Sequence, residues 1–392
     1  MAYEATVMKF SKVFFSVLII MMIIYNVGSM LWQQQANYTT VHYWKNYPVL
    51  EQQYLDSQYI NKHPKWVGDE IVFSYAGGAL IKGTNPVLVI PDAPPLGKYL
   101  IGISILLFDN PHIIIGVFGI ASLFLLYALS RQVLKDNFVA LFPPLLYSSE
   151  PLFKNQFVYS PLMDLFQLVF LLSYFYCINK AFIGKKRTTV FFIIASILLG
   201  FFIATKFFIS GITILVASLL WTVLHRNKKK LLTLLATVPI SIGILLASYA
   251  RVFAFGYSFR EFLGIQKWVF LYHQGQIILP FSVWPLLLFN QWYVWYGDKP
   301  IISDSQWSPS WPIITVLSFV TIGLYLFNKI ERRSEVEILM LWIICYLSFL
   351  SLGQIFARYF VILLPILYII ATYGTVSLAK QIIQTKKKKH KN

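Results

Sequence analysis

An all-α, polytopic membrane protein with about ten transmembrane helices is the fold class this sequence predicts. Three observations carry that reading. The 392 residues are 57% hydrophobic and only 12% charged, with a mean hydropathy of +0.64, which excludes a soluble globular domain of this size. Charges come in clusters, and the apolar runs between them approach the roughly 20 residues a helix needs to cross a bilayer. Those runs do not alternate polar with apolar residues, so helices rather than a β-barrel satisfy the backbone in lipid. Cys177 and Cys345 both fall inside predicted spans, which argues against a disulfide framework or a cysteine metal site.

The elements follow in order. The first span, residues 13–32, is too long for a signal-peptide core and has no small-residue cleavage site, so it is expected to be a retained helix. Residues 33–98 form a first outer loop. The stretch 99–130 exceeds one crossing and contains Asp109-Asn110-Pro111, so its first part is predicted to be a surface or juxtamembrane helix. A partial crossing is expected at 138–149, then spans at 157–179, 188–205, 208–224 and 231–255. A second outer loop covers 256–310, and spans at 311–328, 335–353 and 357–379 complete a single integral membrane domain, 1–392. Both loops are rich in Trp and Tyr, as expected of amphipathic helices in the membrane interface.

This layout places both termini on one side. That side carries 21 of the 33 Lys and Arg but only 5 of the 16 acids, so +16 of the net charge of +17 lies there. The positive-inside rule assigns it to the cytoplasm. The lysine run 386–389 then reads as an anchor to anionic membrane lipids. Nucleic acid is not expected as a partner, since no soluble domain exists to carry it.

The outer side holds the chemistry. Asp69 and Glu70 follow Gly68 after the first span, and Pro91-Asp92-Ala93-Pro94-Pro95-Leu96-Gly97-Lys98 comes some twenty residues later. Neighbours on a helix differ by roughly 100°, so one acid can reach a reaction centre while the other braces. Gly68-Asp69-Glu70 also suits the plain start of an interfacial helix running to about Leu80, and the two readings are compatible. Lys98 is either a snorkelling interface lysine or a phosphate ligand near the membrane surface. Asp164, Lys206 and Arg358 lie within or at the ends of spans on the acid-bearing side, where ionisable groups are functional candidates. Cations there suit a lipid-linked phosphate, and a nearby carboxylate suits a base.

These residues resemble a known family. Gly68-Asp69-Glu70 with Asp92-Ala93-Pro94-Pro95-Leu96-Gly97-Lys98 resembles the first outer loop of protein O-mannosyltransferases (glycosyltransferase family 39), where an Asp-Glu pair precedes an Asp-x-His-Pro-Pro-Leu-Gly-Lys run. Lipid A aminoarabinose transferases share the outline, and all belong to the GT-C superfamily. Leu162-Met163-Asp164, Leu199-Gly200 through Lys206, Ser282-Val283-Trp284-Pro285-Leu286, and Arg358-Tyr359 with Pro365 resemble further family motifs in order, so the similarity spans about 65–370. The chain departs from the pattern at Ala93 (His in the family), near Ser160 (Arg), at Asn290 (Arg), and in having no β-trefoil insertion.

The resemblance implies a GT-C fold, a polyprenyl-phosphate sugar donor and an inverting transfer to an acceptor hydroxyl on a protein, lipid or glycan at the extracytoplasmic face. Asp69 would be the base and Glu70 its brace. Lys98, Lys206 and Arg358 would hold the donor phosphate, with Asp92, Asp164 and Tyr359 positioning substrate. A divalent cation (Mg or Mn) is compatible with the carboxylates and not required; no His or Cys spacing specifies zinc, and His63 is lone. The competing class is a multi-pass lipid or glycan transporter using the same charges as a path. The lack of an internal repeat and the crowding of acids on one face speak against it.

Overall fold

The computed structural model describes residues 2–58, 65–184, 186–274, 279–294, 298, 300–353 and 355–389; His63 lies outside them. The chain is helical almost throughout. A long first helix, α1 (Ala2–Gln33), leads into an outer loop of α2 (Gln35–Thr39), α3 (Tyr43–Asp56), α4 (Asp69–Ile81) and α5 (Pro95–Phe108). The bundle continues with α6 (Ile113–Leu134), α7 (Phe142–Ser149), α8 (Pro151–Val158), α9 (Asp164–Ile183), α10 (Thr188–Thr205), α11 (Ile209–Leu224), α12 (Lys228–Ser248) and α13 (Ala250–Ala254). The second loop holds α14 (Phe259–Gln274), α15 (Val283–Phe289) and a two-residue antiparallel hairpin, β1 (Trp292–Tyr293) with β2 (Ile301–Ile302), in which Trp292 faces Ile302. Helices α16 (Ser310–Leu326), α17 (Ser334–Leu350) and α18 (Leu364–Lys389) follow.

Among the described residues six helices are long and apolar enough to cross a membrane, in α1, α6, α9, α10, α12 and α18. Shorter apolar helices, α11 and α16 among them, complete the bundle. The chain is an integral membrane protein. Helix α9 is its centre: it is apolar around most of its circumference, buries Leu165, Phe166, Leu168, Leu171, Leu172 and Phe175, and packs against α6, α10 and α17. Helix α1 is the opposite case. It touches the rest mainly through α7 and leaves Phe14, Val17, Met21 and Ile24 exposed, as a lipid-facing helix does.

Where the structure differs from the expected spans, prolines and tight turns explain it. The stretch 99–130 divides as anticipated: Asp109 takes a left-handed conformation (φ 51°) that stops α5, a state short polar side chains tolerate. Its carbonyl and its Oδ1 accept the backbone N–H groups of Tyr43 (2.9 Å) and Trp44 (3.0 Å), seating α3 on the corner. At 14 residues, α5 is about 21 Å long, short of the roughly 30 Å hydrocarbon core, and it is not among the six candidate spans. The span expected at 157–179 is corrected. Its first residues belong to α8 and to a turn through the cis Ser160-Pro161 bond, and the helix starts at Asp164. Proline lacks the N–H of the helix ladder and crowds the preceding turn, which favours a break at Pro161. The span expected at 231–255 ends at Ser248, with α13 a separate short helix. The last helix begins at Leu364, with Pro365 in its first turn, and residues Ala357–Val361 form a separate 3-10 turn.

One buried acid ties these corners together. Glu150 sits between α7 and α8 at 3% exposure. It accepts hydrogen bonds from Ser310 Oγ and Tyr368 Oη and, at 3.1 Å, from Trp311 Nε1. One turn earlier Tyr147 Oη donates to the carbonyl of Val361 (3.0 Å), fixing the 3-10 turn. Glu150→Ala therefore strands the fully buried Trp311 indole N–H along with the Tyr368 hydroxyl, at roughly 1–3 kcal/mol per stranded donor, while Ser310 keeps Ser308 Oγ at 3.0 Å. The expected result is a fall of several degrees in the unfolding temperature of the detergent-solubilised protein, with Glu150→Gln falling less.

Candidate functional site

The site begins at the first turn of α4. Gly68 is the N-cap, with extended backbone (φ −71°, ψ 155°) and no side chain to cap the helix. Asp69 and Glu70 thus occupy the first turn, where free N–H groups and the helix dipole favour a carboxylate. The two acids diverge. Glu70 folds back so far that a Cβ at position 68 would meet its carboxylate, and it makes no hydrogen bond among the described residues. Asp69 instead receives Nη1 of Arg358, which arrives from the 3-10 turn 289 positions later in the chain.

A second ion pair lies beside the first. Lys206 caps the C-terminus of α10 on extended backbone (φ −143°, ψ −157°), and its Nζ donates to Oδ1 of Asp164, the first residue of α9. This pair is the more buried: the Lys206 and Asp164 side chains are 14% and 5% exposed, against 23% and 42% for Arg358 and Asp69. The Lys206 ammonium also lies 5.5 Å from the centre of the Tyr359 ring, and the carbonyl of Tyr359 accepts from Tyr346 Oη at 3.1 Å. Four separate segments thus bring two acids and two bases together. Burial pushes the Asp69 carboxyl up, but the adjacent Arg358 charge and hydrogen bond, helped by Lys206, outweigh it and hold the group below the usual carboxylate range.

The cluster keeps unused polar capacity. Asp164 Oδ2 and Arg358 Nε are buried without a hydrogen-bond partner, as is Ser160 Oγ in the turn before α9. Buried polar atoms are nearly always satisfied, so these mark where a ligand or water is accommodated.

The remaining predicted residues sit differently. Lys98, in the first turn of α5, is fully buried and donates to the carbonyls of Val89 (3.0 Å) and Ile90 (2.8 Å). Burial pulls its pKa down to about 7 against the nearby charge of Asp92. Lys98 and Asp92 therefore form a neighbouring charged pair whose lysine is turned into the 89–90 loop. Gly97 sets how close that pair comes to the cluster: a Cβ there would strike Met163 Sδ and lie 2.9 Å from the carbonyl of Thr205, each the immediate neighbour of a cluster residue. Gly97→Ala is expected to push α5 away, costing roughly 1–3 kcal/mol by overpacking. The check is thermal unfolding together with the loss of whatever affinity the cluster has for a phosphate-bearing lipid.

Further residues support the site. Tyr346 holds the backbone of Tyr359. Trp292 Nε1 donates to the carbonyl of Ile355 at 2.6 Å and packs its ring 5.6 Å from Phe356, which braces the approach to Arg358, while Trp284 packs on Phe319. Asn290 ends α15 in a left-handed conformation (φ 55°) and accepts from the Asp304 N–H at 2.8 Å, a local task an arginine could not perform. Glu150 did leave a sequence signal, as an acid in an otherwise apolar stretch.

Asp69 and Asp164 each already face a cation, and no group of three His, Cys, Asp or Glu converges among the described residues; hard cations need several oxygen ligands at once.

Comparison with known families matches residues 92–249 to the family described as dolichyl-phosphate-mannose-protein mannosyltransferase. No curated protein matches the chain. Among solved structures, the chain resembles ArnT from Cupriavidus metallidurans bound to undecaprenyl phosphate, with TM-score 0.56 and 15% identity over 88% of this chain and 62% of that one. The apo state of the same protein gives TM-score 0.56 and 14% identity over 86% and 60%. The chain thus spans about three fifths of the length of ArnT. The family match over residues 92–249 and the fold shared with ArnT agree with the resemblance read from the sequence: the chain has the polytopic helical fold of that membrane protein.

Proposed function

We propose that the protein transfers a sugar from a polyprenyl-phosphate donor to an acceptor hydroxyl, with inversion, at the extracytoplasmic end of the bundle, both termini being cytoplasmic. The observation that carries this reading is the convergence of Asp69, Arg358, Lys206 and Asp164 from four distant segments into one partly open cluster. The fold shared with a protein that binds undecaprenyl phosphate supports the donor class. The excess of positive charge at the opposite end supports the side.

Asp69 Oδ1 has no hydrogen bond among the described residues, Arg358 taking only Oδ2, which leaves it to accept from an acceptor hydroxyl. As the acceptor oxygen bonds to the anomeric carbon, the bond from that carbon to the phosphate oxygen breaks and the hydroxyl proton passes to Asp69. The electron pair leaves with the polyprenyl phosphate. Arg358 offers its unused Nε and Lys206 its ammonium to the charge growing there. As Arg358 engages phosphate its hold on Asp69 weakens, so the carboxylate gains basicity when the donor is bound. Asp164 Oδ2 is free to accept a sugar hydroxyl. Glu70, on the same helix turn, orients the acceptor.

Incubating the purified protein in nanodiscs with labelled polyprenyl-phosphate sugars and an envelope extract tests this. Free polyprenyl phosphate is expected in equal amount to labelled acceptor. Movement of intact donor between leaflets without its cleavage would overturn the reading in favour of a transporter.

A further inference from the structure

At the other end of α9, about 30 Å from Asp164 along a 20-residue helix, the bundle carries a cavity that opens widely to its surface. Its volume is about 250 Å³, and Lys135, Asn179, Lys180, Lys186, Phe191 and Glu335 are among the residues that line it. The charge inside is unbalanced. The one carboxylate, Glu335, is taken by Lys135 at 2.5 Å. Neither Lys180 nor Lys186 has a carboxylate partner among the described residues; the Lys180 ammonium lies over the Tyr176 and Phe191 rings, 4.4 and 5.4 Å from their centres. Helix α10 starts beside the cavity with no side-chain cap and no acid in its first turn, so its free N–H groups add to the positive potential.

Asn179 gives a second and independent requirement. It is fully buried. Its Nδ2 lies 3.5 Å from both Gln132 Oε1 and the carbonyl of Glu335. Its Oδ1 is a buried acceptor with no donor. A complementary ligand must carry negative charge for Lys180 and Lys186 and, close to it, a hydrogen-bond donor for Asn179. The cavity opens at the level where the apolar helices end, next to the lipid-exposed Ile183, Val190 and Ile194.

We propose that this cavity binds the headgroup of an anionic phospholipid that carries a hydroxyl, of the glycerol or inositol type. The phosphodiester sits on Lys180 and Lys186, the hydroxyl donates to Asn179 Oδ1, and the acyl chains run along Ile183, Val190 and Ile194. The site is separate from the cluster around Asp69 and does not depend on what that cluster catalyses.

Native mass spectrometry of the full chain, titrated with single lipids, tests it. Phosphatidylglycerol is expected to bind at least about tenfold more tightly than phosphatidylcholine, from its attraction to two lysines. It is expected to bind about fivefold more tightly than phosphatidylethanol, which has the same charge and no hydroxyl. The double variant Lys180→Gln, Lys186→Gln should abolish the first preference while its unfolding temperature without added lipid stays within a degree or two. Equal binding of all three lipids, or an unchanged preference in the double variant, would overturn the proposal. So would displacement of bound lipid by millimolar inorganic phosphate, which would make a free phosphate the ligand.

Discussion

Replacing Asp69 by Asn is expected to lower sugar transfer by about 10²–10⁴-fold, the usual contribution of a positioned general base, while the chain still folds and inserts. The amide has the shape of the carboxylate and keeps an oxygen for Arg358, but it cannot take the acceptor proton. The loss of charge leaves Arg358 unpaired, yet the Asp69 and Arg358 side chains are 42% and 23% exposed, so water reaches the pair and the structural cost stays small. Release of labelled polyprenyl phosphate and the elution profile in detergent measure the two effects separately. Unchanged transfer by this variant would remove Asp69 from the base role. The pH profile supplies a second readout. The folded pKa of Asp69 is depressed by Arg358 against the pull of burial, so the ionised base persists above that lowered value and is lost only as pH falls through it. The acid limb of kcat/KM, which reports the protein before Arg358 turns to the donor phosphate, should therefore lie below the ordinary carboxylate pKa of about 3.9. Arg358→Gln should move that acid limb upward, a displacement that a purely phosphate-binding arginine would not produce.

The parts of this protein that were legible from sequence are those set by local pattern. The bounds of α10, 188–205, follow from an uninterrupted apolar run after a basic cluster, and the start of α4 follows from a glycine ahead of two acids. The start of α9 did not follow, because residues 157–163 are apolar enough to extend the run and only Pro161 signals the break. The site was legible as a set of residue types and not as a geometry. Asp69 and Arg358 are 289 positions apart, so their pairing is a tertiary fact that no periodicity encodes. Lys98 shows the limit from the other side: its place in the motif suggests a phosphate ligand, whereas packing turns its ammonium onto two backbone carbonyls. Burial, not residue type, decides which of those a lysine does.

The inner ion pair offers the sharper test of what the cluster is for. Lys206→Met leaves Asp164, 5% exposed, as an uncompensated carboxylate, and Asp164→Asn leaves Lys206, 14% exposed, as an uncompensated ammonium. Removing one partner of a buried pair typically costs about 3–5 kcal/mol, whereas replacing both by neutral groups is often tolerated. The double variant Asp164→Asn, Lys206→Met should therefore recover most of the stability lost by either single change, which a double-mutant cycle reads as a coupling energy at least as large as either single loss. Transfer should behave otherwise. The methionine cannot stabilise charge on a departing phosphate, so the double variant should be as inactive as Lys206→Met alone although it unfolds near the native temperature. Lys206→Arg separates the remaining cases, since it keeps the charge but not the compact ammonium; it should retain part of the activity. If the double variant instead regained transfer along with stability, the pair would be a pin between α9 and α10, and the charge stabilising the leaving group would have to come from Arg358 alone.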